Sequence, residues 1–73
     1  MLLSKAKLGD TYNIKQVEGK EKVKKFLFTL GCFEGEEITV ISKLAGNYIV
    51  IIKDSRYAID EGMAKVIELE EKL

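Results

Sequence analysis

Across residues 23–41 the apolar period changes once, and the two glycines at the change leave the chain few ways to fold. Val23, Phe26, Leu27 and Leu30 stand at i, i+3, i+4 and i+7, one stripe of a helix with 3.6 residues per turn. Gly31 follows where a left-handed C-terminal cap is wanted, and Gly35 closes a turn. From Glu36 onward the period is two. Ile38 and Val40 share one face and Ile41 takes the other, so a half-buried strand leaves the turn directly.

The remaining segments read as short strands between turns. Leu3 and Leu8 are expected to lie on the core from an opening turn that ends at Gly9 and Asp10. Residues 11–17 form a first strand with Tyr12 and Ile14 on one face. Val17 has the opposite parity, which calls for a bulge or strand end near Gln16. Ala45, Gly46 and Asn47 turn the chain into residues 48–52, which are apolar on both faces and are expected to be buried on both. Asp54 and Ser55 connect to a hairpin partner over residues 56–59. Asp60 is then an N-cap for a single turn through Met63, with Ala64 small enough to pack on the sheet. Val66, Ile67 and Leu69 make a last strand, and Glu70, Glu71 and Lys72 are expected in solvent. The predicted architecture is mainly β: a small five-stranded barrel with one α-helix between strands 1 and 2 and a short helical turn before strand 5. Closure into a barrel removes most exposed edges.

Seventy-three residues suit one domain, and 47% hydrophobic with 33% charged residues is a globular balance. The longest apolar run, residues 48–52, is far short of the roughly 20 residues that cross a bilayer, and the N-terminus lacks the apolar region of a signal peptide. A soluble, cytoplasmic protein with no membrane insertion is expected. The formal charge is zero, yet residues 1–30 carry seven lysines and three acids, while residues 31–73 carry five basic and nine acidic side chains. That polarity can orient an encounter with a charged partner.

Chemistry is sparse. With no histidine and Cys32 as the only cysteine, neither a disulfide nor the usual clustered metal ligands can be assembled within the chain. Acids occur as neighbours, such as Glu36 and Glu37, which a strand points to opposite faces. The glycine pair precedes a strand, whereas a phosphate loop precedes a helix. No enzyme, metal site or cofactor is expected.

Recognition of another macromolecule remains, and the helix is the place to look for it. Phe28 projects well away from the apolar stripe, among Glu21, Lys24 and Lys25. Either it is an exposed anchor flanked by lysines, or the loop before Gly9 or the C-terminal end folds over it. Glu21 and Lys25 are spaced for an i, i+4 ion pair. Cys32 has the character of a small packed residue more than of a reactive thiol. Tyr48 and Tyr57 fit core or rim packing better than stacking on bases, because no basic strand face accompanies them.

The order of these motifs resembles the ferrous iron transport protein A (FeoA) family of small SH3-like domains. The most specific stretch is Leu30-Gly31-Cys32-Phe33-Glu34-Gly35-Glu36-Glu37-Ile38-Thr39-Val40, supported by Leu3, Gly9, Ile14, Gly19, Leu27, Ala64 and Ile67 at the matching places. The chain departs from the family where Glu34 replaces a frequent proline and where basic residues are often found, near Phe26 and near Asp60. The resemblance implies a cytoplasmic accessory that binds ferrous iron transport protein B, a membrane protein with a GTP-binding domain, and regulates or assembles it. It implies neither iron binding nor nucleotide hydrolysis by this chain. A related barrel forms the C-terminal domain of iron-dependent repressors of the diphtheria-toxin-repressor type, which makes an intramolecular regulatory module the alternative. A nucleic-acid partner is disfavoured by charge, and a weak homo-oligomer is left open. The residues expected to meet the partner are Lys24, Lys25, Phe28, Cys32 and Phe33.

Overall fold

The computed structural model describes residues 1–71. A single 3₁₀ turn, Leu3–Lys5, precedes β1 (Thr11–Val17), α1 (Glu21–Leu30), β2 (Glu37–Leu44), β3 (Asn47–Ile52), β4 (Ser55–Asp60), α2 (Glu61–Ala64) and β5 (Ile67–Leu69). The strands form one antiparallel sheet in the order β4-β3-β2-β1-β5. Mainly β, five strands, a helix between β1 and β2 and a short helix before β5 is the architecture that the apolar periods predict.

Alternation places the core. Tyr12 and Ile14 of β1, Ile38 and Val40 of β2, Tyr48, Val50 and Ile52 of β3, Ile59 of β4, and Ile67 and Leu69 of β5 are buried, joined by Leu3, Leu27, Cys32 and Ala64. The two buried tyrosines bring polar tips, and both are satisfied. The Lys7 N–H donates to the Tyr12 hydroxyl, and the Tyr48 hydroxyl donates to the Ser4 carbonyl, each at 3.1 Å. Tyr57 is half-buried against the core, so neither Tyr48 nor Tyr57 is an exposed stacking platform.

Two irregularities follow from parity. The β1–β5 register shifts between Ile14 and Gln16, where the phase of Val17 demands it, and the β2–β3 register shifts between Val40 and Ser42, at Ile41. Asp60 caps α2 by accepting the Met63 N–H at 2.8 Å.

The structure corrects several expectations. Leu8 is 55% exposed, because the chain has already turned outward before the Gly9 N–H reaches the Val40 carbonyl. Residues 49 and 51 are half-buried, so β3 has one buried face and one partly covered face. The β3–β4 turn is Lys53-Asp54, with Ser55 already paired to Ile52. No ladder joins β4 to β5 among the described residues; α2 carries the chain between them, and β4 keeps an open edge. Glu70 and Glu71 are exposed as expected, and Lys72 lies outside the described residues.

Candidate protein-docking surface

Helix α1 lies on the sheet by a narrow line. Leu27 is its one fully buried residue, Val23 and Leu30 are half-buried, and Phe26 is 46% exposed instead of completing the stripe. A helix of ten residues seated on a rounded surface touches it along one row. The i+3 position at the edge of that row is left in water.

The end of α1 decides the geometry of the site. Gly31 takes φ 101° and ψ 16°, its N–H donates to the Phe28 carbonyl at 3.0 Å, and the Cys32 N–H donates to the Leu27 carbonyl at 3.1 Å. This is a Schellman cap, whose two bonds satisfy carbonyls the helix would otherwise leave unpaired. It also turns the residue after the glycine inward, toward the buried residue four places before the glycine. Cys32 is accordingly in the core with Leu27, at 0% exposure. Burial pushes its thiol up to about 11, so it is protonated and inert at neutral pH.

Phe33 swings back out. Its ring stacks on Phe28 with centroids 5.4 Å apart and 13° between the planes, while the two side chains stay 40% (Phe28) and 47% (Phe33) exposed. Such a pair contributes about 0.5–1.5 kcal/mol beyond the area it covers, which favours the stacked orientation by roughly two- to tenfold. The loop beneath is pinned to β1. The Gly35 N–H donates to the Ile14 carbonyl at 2.7 Å, the Ile14 N–H to the Glu36 carbonyl at 2.8 Å, and the Asn13 side-chain amide to the Gly35 carbonyl at 3.2 Å. What packs on Phe28 is Phe33.

Lys24 and Lys25 precede Phe28 by four and three residues and share its side of the helix. Lys24 is half-buried and Lys25 exposed. The expected Glu21–Lys25 ion pair is absent among the described residues, where the ion pairs are Met1–Glu68, Lys43–Glu61 and Lys53–Glu36. The structure thus assembles Lys24, Lys25, Phe28 and Phe33 on one surface and removes the Cys32 side chain from it. Sequence reasoning missed the Phe28–Phe33 stack. The signal for it was the cap itself, which predicts one residue in and the next one out. Among the described residues no group of three or more Cys, Asp or Glu side chains could hold a metal.

Comparison with known proteins agrees with this architecture. A crystal structure of an iron uptake regulatory protein, FeoA, superposes with a TM-score of 0.85 at 25% identity, covering 93% of this chain and 90% of that one. The FeoA of Stenotrophomonas maltophilia, an SH3 domain protein complexed with zinc, gives 0.85 at 22% identity over 96% and 89%. The T. acidophilum IdeR shares the fold with a TM-score of 0.85 at 17% identity, over 94% of this chain but 32% of that one. Comparison with curated proteins gives no match. The FeoA domain model matches residues 1–71, nearly the whole sequence, and this SH3-like chain therefore belongs to the FeoA domain family.

Proposed function

We propose that this chain is a cytoplasmic accessory that docks on ferrous iron transport protein B and regulates or assembles it. FeoA domain proteins are non-enzymatic accessories associated with ferrous iron transport. The reading rests on one observation, the Phe28–Phe33 pair held outside the core beside Lys24 and Lys25. Exposed aromatic pairs on a rigid base are the kind of anchor that protein interfaces use, because little entropy is lost when they are covered. The lysines add attraction for an acidic rim on the partner. Cys32 contributes by shaping the turn from inside, not by contact. Among the described residues no helix is long and apolar enough to cross a membrane.

Pulldown with that domain tests the proposal. Phe28→Ser, Phe33→Ser and Lys24→Glu, each checked for folding, are expected to weaken capture, and unchanged capture by all three would refute the surface. The alternative, an intramolecular regulatory module like the C-terminal part of an iron-dependent repressor, draws on the fold shared with IdeR. Failure to bind the intact transporter would favour it.

A further inference from the structure

The two ends of the sheet are finished differently. The outer side of β5 is occupied, since Leu2 bridges Glu68 and the Leu69 N–H donates to the Met1 carbonyl at 2.6 Å. β4 has no neighbour beyond β3 among the described residues, and its ladder runs through six pairs from Asn47↔Asp60 to Ile52↔Ser55 without a shift. It contains no proline, lysine or bulge, the devices that blunt an edge.

The parity of the ladder says which amides are free. Lys53 and Asp54, at φ 50° and 64°, make a two-residue turn of the mirror-image type. The flanking pair Ile52 and Ser55 then exchanges both bonds, as do Val50 with Tyr57 and Tyr48 with Ile59 by alternation. Arg56, Ala58 and Asp60 therefore aim their N–H groups away from β3, and Arg56 and Ala58 their carbonyls as well. The Asp60 carbonyl instead begins α2. The side chains of the same three residues are exposed.

We infer that β4 is the pairing edge for β4 of a second copy of this chain, antiparallel about Ala58. The free amides allow that register. Ala58 faces Ala58 and Arg56 faces Asp60, all at bond-exchanging positions. Two bonds form between the alanines, and two more run from each Asp60 N–H to the Arg56 carbonyl across the two-fold axis. The charges select it from the registers the amides allow. Arg56 makes no ion pair among the described residues, and in this register it lies opposite Asp60, whose Oδ1 is held by the Met63 N–H and whose Oδ2 is left for the guanidinium. Sliding the strands by two residues breaks both pairs, and in one direction sets Asp60 against Asp54. The contact is small, so the association is weak and sensitive to salt. It uses none of the residues assigned to docking.

Sedimentation equilibrium with the full chain at low salt, carried up to about 1 mM so that a millimolar dissociation constant is visible, measures it. The expected result is a mass that climbs toward twice the monomer with concentration, together with slowed exchange of the Ala58 and Asp60 amides. Arg56→Glu places like charges opposite each other twice and is expected to weaken association about tenfold. Ala58→Pro removes an outward N–H without touching the β3 ladder and is expected to abolish it. A chain that stays monomeric at the highest concentration overturns the inference. So does a dimer unaffected by Arg56→Glu, or one in which the Ala58 amide exchanges as in the monomer; these two readings decide the matter even if Ala58→Pro does not fold.

Discussion

Replacing Gly31 and Gly35 in turn by alanine separates two costs that a cap glycine normally hides. Both have positive φ, 101° and 86°, so each alanine meets the left-handed backbone penalty of roughly 1–2 kcal/mol. Part of that is offset by the smaller unfolded-state entropy of alanine, worth about 0.4–1 kcal/mol. Around Gly35 a new Cβ meets nothing within 4 Å. At Gly31 it would stand 3.1 Å from Ile52 Cγ2 and 3.3 and 3.4 Å from Lys53 Cε and Cδ. Ile52 is fully buried and β-branched, so it cannot step aside, and the Lys53 stem is drawn in place by an ion pair to Glu36 at 3.0 Å. Overpacking of this kind costs about 1–3 kcal/mol. Gly35→Ala is therefore expected to destabilise by about 1 kcal/mol, and Gly31→Ala by about 2–4 kcal/mol. In a domain this size that difference of about 1–3 kcal/mol corresponds to a Tm gap of roughly 4–24 °C. Urea unfolding followed by far-UV circular dichroism, with equal m-values as the check on two-state behaviour, measures both. If the two variants lose the same stability, the close approach of the α1 terminus to β3 is not what Gly31 provides.

Three further predictions address the core, the thiol and the cap. Leu27→Ala is expected to cost about 2–5 kcal/mol, and Phe28→Ser, partly exposed on the other side of the same helix, about 1–2 kcal/mol; a larger loss for Phe28→Ser than for Leu27→Ala in thermal unfolding would contradict the seating of α1. Because burial holds the Cys32 thiol at about 11 against an ordinary 9.0, the unfolded chain releases a proton first as pH rises. Stability from the protonated thiol is complete below pH 9 and falls between pH 9 and 11, by about 1 kcal/mol at pH 10, and Cys32→Ala should remove that part of the slope in urea titrations. Asp60→Ala should cost about 1 kcal/mol by freeing the Met63 N–H, with Asp60→Asn retaining most of it, and a loss equal in both would point away from the cap.

What could be read from local pattern was whatever depends on neighbours along the chain. The switch from period 3.6 to period 2 across Gly31 and Gly35 predicts α1 and β2, and the phase of Val17 predicts the irregularity at Gln16. The Asp60 cap is likewise written within three residues. The candidate surface was legible only in part. Phe28 stands out because a helix wheel puts it among lysines, whereas Phe33 has no period to betray it.

The order of elements, the inward set of each strand and the poverty of reactive side chains follow from local order along the chain, because hydrogen bonding and apolar alternation within a segment fix the first two and composition fixes the third. Tertiary structure alone decided which apolar residues are covered. Phe26 and Leu8 are the kind of residue a core takes, yet each is about half exposed; Cys32 follows a surface helix and lies in the core. Burial is a relation between segments distant in sequence: how wide a row α1 rests on, where the cap aims the next residue, and which strand is left at the edge of the sheet.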